Sequence, residues 1–190
     1  MSDPQPPGPI PADPSLSGPS IRAVPHGDDR ERLMCPDCGY VAYENPKVVV
    51  GSVVVAQDGR ILLCRRAIEP RKGFWTLPAG YMELHETSEA GARREAWEEA
   101  CARIEIEGLL AVYDIPRISQ VQLIFRARLV HPEIAAGPES AEVDLFSWDA
   151  IPWDDIAFPS VHWSLRRFKE TEGRPLGQPG GTPPDAVHGL

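Results

Sequence analysis

Between Glu83 and Glu99 the chain places six glutamates, Glu83, Glu86, Glu89, Glu95, Glu98 and Glu99, against two arginines, Arg93 and Arg94. The stretch from Thr87 to Ala102 is rich in Ala, Glu and Arg, which are good helix formers, and Thr87 stands where a capping side chain is wanted. On such a helix, at about 100° per residue, Glu98 and Glu99 fall on either side of Glu95 and within roughly 4.5–6 Å of it along the axis, so the three acids are predicted to share one face. Unpaired like charges at these spacings cost an isolated helix a few tenths of a kcal/mol each. A divalent cation removes the conflict. Oxygen donors in this number suit a hard ion, and Mg²⁺ or Mn²⁺ characteristically joins a few carboxylates to substrate phosphates while keeping some of its waters.

The rest of the composition makes such a local device necessary. The 190 residues carry 19 Lys plus Arg against 28 Asp plus Glu, a formal charge of -9, so a bulk electrostatic grip on nucleic acid or on an anionic membrane is not expected. No stretch approaches the length of a membrane span, and Met1 to Pro14 lacks the basic and apolar regions of a secretory signal, which makes the cytoplasm the expected compartment. Four cysteines, Cys35, Cys38, Cys64 and Cys101, are too few for a disulfide scaffold in a chain this long.

The elements that must position the glutamates can be read on both sides of them. Lys47 to Ala56 is an almost unbroken β-branched run, predicted to be a strand buried on both faces. Gln57-Asp58-Gly59 supplies a tight turn, after which Arg60 to Arg66 is predicted to return as the hairpin partner. Phe74 to Leu77 reads as a short strand closed by Pro78-Ala79-Gly80. Ile104 to Ile115 and Ser119 to Val130 alternate as two further strands, Val143 to Trp148 as a last one, and Ser160 to Thr171, opened by Pro159, as a closing helix. Strands mixed with two helices on a chain of this size predict an α/β layered domain. Pro- and Gly-rich segments at 1–32 and 172–190 are expected to be disordered tails, because they bury too little apolar surface to offset the entropy of ordering.

The segment from Gly80 to Ala102 resembles the Nudix box. Gly80, Glu86, Arg94, Glu95, Ala96, Glu98 and Glu99 match that pattern in register, and Cys101 stands where the family has its second glycine, near the helix end where a backbone turn favours one. Cys35-Pro-Asp-Cys38-Gly, Tyr43 to Lys47, Leu63 to Pro70, Trp75 to Met82 and Ala157 to Val161 are similar to a Nudix branch with an N-terminal zinc ribbon. The resemblance implies an α/β/α sandwich with a mixed β-sheet at 47–171, preceded by a degenerate ribbon-like segment at 33–46. It also implies metal-dependent hydrolysis of the diphosphate bridge in a nucleoside diphosphate linked to another group, with ADP-ribose, FAD and similar dinucleotides as the associated substrates. The alternative is a catalytically weak Nudix-fold protein that senses or binds a nucleotide, which Cys101 and the incomplete ribbon would favour.

Carried residue by residue, the resemblance implies Glu95 and Glu99 as metal ligands for Mg²⁺ or Mn²⁺, Glu98 as a further ligand or a water-orienting base, and the Gly80 carbonyl as an additional ligand. Glu86 and Arg94 are expected to pair and hold the loop to the helix, and Glu142 is a second candidate base, with Glu139 in the same loop. Arg65 and Arg66 are candidate phosphate contacts, although strand alternation sends them to opposite faces. Among the aromatic residues Phe74, Trp75, Tyr81 and Tyr113, a core role is expected, with Tyr81 the best candidate for stacking on substrate because it follows Gly80. Zinc is not expected at Cys35 and Cys38, since a structural tetrahedral site needs four ligands and no second cysteine pair lies upstream. Homodimerisation, common in related hydrolases, is carried as an expectation.

Overall fold

The computed structural model describes residues 17–184 and divides between Asn45 and Pro46 into two units. The first holds β1 (Ile21–Ala23), β2 (Arg32–Met34) and β3 (Val41–Ala42) in an antiparallel sheet ordered β1-β2-β3. Part of the expected N-terminal tail is therefore strand, and residues 1–16 of it lie outside the described residues. The prolines do not prevent this because they sit around the strands rather than inside them. Pro19 precedes β1 and Pro25 opens the turn to β2, where Asp28 N–H donates to the Pro25 carbonyl at 3.0 Å.

The second unit runs β4 (Lys47–Val55), β5 (Ile61–Arg66), β6 (Trp75–Thr76), β7 (Ala79–Tyr81), α1 (Ser88–Ala100), β8 (Ile104–Ile115), β9 (Gln120–Leu129), β10 (Ser140–Phe146) and α2 (Pro159–Thr171). Its sheet is ordered β10-β5-β4-β9-β8, with β6 on β5 and β7 on β4; β4 and β9 are parallel and the other pairs antiparallel. Alternation along β4 feeds two cores. Val50 and Val54 face α1, packing with Ala92, Ala96 and Ala100, while Val53 joins Leu63, Val161, Leu165 and Phe168 under α2. The result is an α/β/α sandwich on a mixed sheet, as the resemblance implied. Among the described residues no helix is long and apolar enough to cross a membrane.

The expected hairpin of β4 and β5 opens almost at once. The two strands pair only at Val55↔Ile61 and then diverge, and the chain from Trp75 to Tyr81 fills the gap, β6 pairing with β5 and β7 with β4. Gly51 makes the wedge fit: a Cβ there would stand 2.4 Å from the Ala79 Cβ and 2.9 Å from the Pro78 carbonyl oxygen. Pro78-Ala79-Gly80 is thus not the end of a strand, because Ala79 and Gly80 belong to β7.

The expected C-terminal tail also departs from disorder up to residue 184, and residues 185–190 lie outside the described residues. Gly180 N–H donates to the Leu110 carbonyl and Val112 N–H to the Gly180 carbonyl, both at 2.9 Å. Strand β8 is the sheet edge, and its free backbone groups accept a partner that needs no side-chain pattern of its own.

Candidate active site

Helix α1 begins as its sequence demands. Thr87 keeps extended backbone angles and its Oγ1 accepts from Ala90 N–H at 3.2 Å, while Glu89 adds negative charge to the first turn. The buried face consists of Gly91, Ala92, Glu95, Ala96, Glu99 and Ala100. Small residues bring the helix close to the sheet: a Cβ on Gly91 would meet Val50 Cγ2 at 2.8 Å and Glu86 Oε1 at 2.6 Å. The helix ends on Cys101, whose φ of 49° and ψ of 25° are left-handed, and Ala102 N–H reaches back to the Ala96 carbonyl at 3.0 Å. The residue in the glycine position therefore adopts the conformation for which glycine is preferred.

Close packing carries two carboxylates inward. Glu95 and Glu99 are only 8% and 7% exposed. Ala79 N–H donates to Glu99 Oε2 at 3.2 Å, and a Cβ on Gly80 would lie 2.4 Å from Glu95 Oε1, so the bare backbone of β7 is what leaves room for that carboxylate. Burial raises the Glu99 carboxyl to about 8, the Ala79 N–H opposing and the charge of Glu95 adding to the effect. Burial also raises Glu95, against the opposing hydrogen bond from Arg94.

Glu98 does not join them. Its side chain is 53% exposed and accepts from Arg94 Nη1 at 2.8 Å. The sheet-facing side of α1 is centred between Glu95 and Ala96, which leaves Glu98 on the flank, about 110° from that centre. The shared face predicted for three acids is thus a buried pair with a third turned outward. Arg94 holds this arrangement, donating to Glu86 Oε1 at 2.8 Å and Oε2 at 3.1 Å, to Glu95 Oε1 at 2.7 Å and to the Tyr81 carbonyl at 3.0 Å. Those bonds keep the Glu86 carboxyl below its ordinary range and the Arg94 guanidinium above its own. Glu86 also accepts Glu83 N–H at 2.7 Å, so the pair ties the loop to the helix.

The donor set suits a hard divalent ion. Two buried carboxylates meet beside an exposed-backbone strand, and Glu99 has no cationic side chain bonded to it, leaving a negative charge that burial disfavours. Among the described residues no three of the Cys, His, Asp and Glu side chains stand together closely enough to hold an ion by themselves. That is the usual condition of Mg²⁺, which takes one or two carboxylates and completes its shell with water and substrate oxygens.

The remaining predicted residues are placed as follows. Glu142 pairs across the sheet with Arg65, Arg65 Nη1 donating to its carboxylate at 3.2 Å, and both are about half exposed. A β-bulge between Ser140 and Glu142 sets this register, starting β10 at Ser140 rather than at the expected Val143. Glu139, rather than Glu142, adds negative charge at Glu95 and Glu99, a minor addition to the burial that raises both. Both arginines spend their Nε on a loop carbonyl, Arg65 on Gly73 at 2.9 Å and Arg66 on Pro70 at 2.7 Å, and it is the charge of Arg66 that opposes the rise at Glu99. Tyr81 pairs with Val49, so its ring leaves β7 on the side away from Glu95, half exposed, under the Lys47 ammonium at 5.0 Å and accepting from Gln120 Nε2 at 3.2 Å. Trp75 and Tyr113 are core. Two cavities of about 330 and 390 Å³ lie elsewhere, around Trp97 and Arg103. In the first unit Cys35 is buried and Cys38 exposed, and between them the Asp37 carboxylate accepts from Ser17 N–H at 2.8 Å.

Comparison with known proteins agrees with this geometry. The family model for the NUDIX domain matches residues 45–170, and the zinc-ribbon model described as Nudix N-terminal matches residues 17–44. A MutT-like protein of Streptomyces ambofaciens is 42% identical over 101 residues, 53% of this chain and 62% of its own length. An ADP-ribose pyrophosphatase of Methanocaldococcus jannaschii is 32% identical over 117 residues, 60% of this chain and 69% of its own. The NAD-capped RNA hydrolase NudC of Chromobacterium violaceum is 30% identical over 135 residues, 70% of this chain, and the match spans about half of that protein, 49%. Among solved structures, a NUDIX hydrolase from Nitrosomonas europaea superposes with a TM-score of 0.79 at 48% identity, covering 85% of this chain and 92% of that one. With a buried Glu95 and Glu99 under the glycine strand and a family model spanning the whole sandwich, the chain belongs to the Nudix hydrolase family.

Proposed function

We propose that the protein hydrolyses the diphosphate bridge of a nucleoside diphosphate derivative, with ADP-ribose, FAD and similar dinucleotides as the substrate class, in the presence of Mg²⁺ or Mn²⁺. The observation that carries the reading is the pair of buried carboxylates, Glu95 and Glu99, meeting at a strand stripped of side chain at Gly80. On this reading Glu95, Glu99 and the Gly80 carbonyl hold the ion, which when bound neutralises charge that builds on phosphate oxygens as water attacks phosphorus. Glu139 takes the role of loop base in place of Glu142, whose carboxylate is held by Arg65. Glu98 stands at the rim and enters the site only by leaving Arg94. Arg66 supplies positive charge for a substrate phosphate, and Arg94 and Glu86 keep the loop in place. Tyr81, facing the opposite side of β7, is assigned to a base or ribose portion reaching over the sheet rather than to the diphosphate.

The alternative of a weak nucleotide-binding protein drew on Cys101, and that residue keeps the helix-ending turn intact. The relatives named for NAD-capped RNA favour including a capped oligonucleotide among the substrates, despite the acidic charge of this chain. The test is a screen of purified protein with Mg²⁺ or Mn²⁺ against ADP-ribose, FAD, NADH, diadenosine polyphosphates and NAD-capped RNA. Metal-dependent release of a nucleoside monophosphate is expected, Glu99→Gln should lose most of the rate while remaining folded, and no turnover of any of these compounds would refute the reading.

A further inference from the structure

An α-helix ends with backbone carbonyls that have no partner within the helix. At the end of α1 two of these are taken from outside it: Gly137 N–H donates to the Glu99 carbonyl at 3.0 Å and Ala135 N–H to the Ala100 carbonyl at 2.9 Å. The approach at Gly137 is as close as backbone permits. A Cβ there would lie 1.7 Å from the Glu98 carbonyl oxygen and 2.8 Å from its carbon, atoms of a packed helix that cannot swing aside as a long side chain would. On the other side of Glu139 the chain is pinned again, Ser140 N–H donating to the Gly137 carbonyl at 3.1 Å and Ala67 N–H to the Glu139 carbonyl at 2.8 Å. Two residues after the glycine contact, an otherwise exposed glutamate is thereby held beside the end of the helix that carries Glu95 and Glu99.

We propose that the segment Ala135–Gly137 is a clamp on the end of α1 that sets the position of Glu139 against the Glu95–Glu99 pair, and that Gly137 is a positioning residue of the site. The inference rests on the reading of that pair as the metal site and adds the device that registers the loop against it. The helix that carries the two acids also supplies the carbonyls that bind the loop of the third, so one rigid body places all of them. An alanine at 137 must push the loop off the helix, lengthening the bond to Glu99 and carrying Glu139 with it.

The test is a double-mutant cycle of Gly137→Ala and Glu139→Gln in the full chain, read as Mn²⁺ affinity by electron paramagnetic resonance and as kcat and KM with ADP-ribose. Glu139→Gln is expected to weaken Mn²⁺ about tenfold in the parent and by less than about twofold in the Gly137→Ala background, with kcat falling and KM nearly constant. Equal losses in both backgrounds, or a Gly137→Ala protein that keeps the parent affinity and kcat, would overturn the proposal. Should Gly137→Ala fail to fold, Ala135→Pro replaces it in the cycle with the same expectations: it deletes the N–H that bonds the Ala100 carbonyl and sets its ring carbon in that place, which moves the loop at the last residue of α1 rather than within the helix. Mn²⁺ binding that shows the coupling without turnover would leave the clamp standing and refute the hydrolase reading, whereas a parent that binds no Mn²⁺ would overturn both.

Discussion

Replacing Glu99 by glutamine should make the metal-free protein more stable above neutral pH, although the same change should abolish most of the activity proposed here. The folded state holds the Glu99 proton up to about pH 8, against an ordinary value of 4.5. Between those values the folded chain binds more protons than the unfolded one, so the contribution of this group is fully present below about pH 4.5 and is lost as pH rises through about 8. The interval, at about 1.36 kcal/mol per pH unit, gives a ceiling of about 5 kcal/mol, and local relaxation and water penetration bring the expected loss to roughly half of that. For a chain of this size that is on the order of 5–10 °C in Tm. The assay is thermal unfolding at pH 5, 6.5 and 8 with a chelator and then with excess Mg²⁺ or Mn²⁺. The parent should lose stability as pH rises in chelator and regain it with metal most strongly at pH 8, while Glu99→Gln should show a flatter pH dependence and little response to metal. Parallel pH curves for the two proteins, or a metal response as large at pH 5 as at pH 8, would refute the account of Glu99 as a buried charge awaiting a cation.

Two further outcomes follow from backbone geometry. Cys101→Gly should raise stability by about 0.5–1 kcal/mol in urea unfolding, because the left-handed turn at the helix end disfavours a side chain; a loss would mean that the partly buried thiol packs better than its backbone suffers. Gly51→Ala should cost about 2–3 kcal/mol and reduce turnover as well, since its Cβ meets β7 at 2.4 Å and β7 carries Gly80; unchanged unfolding midpoints would contradict the wedge.

Much of the fold can be read in the sequence because its strands and helices carry their own signals. The alternation of Ile104 to Ile115 and the cap at Thr87 recur in the structure within a residue or two of where they are expected. The segments that misled are those whose order comes from a backbone partner. Ile21–Ala23 and Gly180 have no hydrophobic pattern to announce them; they are held by β2 and by the open edge of β8. The same cause hid β7. Ala79, Gly80 and Tyr81 make an unconvincing strand alone, and become one because β4 and β5 separate and leave unpaired groups that Trp75 to Tyr81 can satisfy.

The site shows a sharper version of that limit. Spacing on a helix was enough to bring Glu95 and Glu99 together, but which flank the sheet covers decides that Glu98 faces outward, and helical periodicity alone is silent about it. Choosing between Glu139 and Glu142 depends on a bulge that shifts β10 against β5 and locks Glu142 onto Arg65. The strongest clue to Glu139 was a residue without a side chain. Gly137 does not have a left-handed φ; it is glycine because the Glu98 carbonyl occupies the space a methyl group would take. A close approach of two backbones leaves a one-letter trace in the sequence, and its meaning appears only once the second backbone is known. For that reason the position of a loop carboxylate is best sought by asking what fixes the loop, and here the answer is the end of the same helix that carries Glu95 and Glu99.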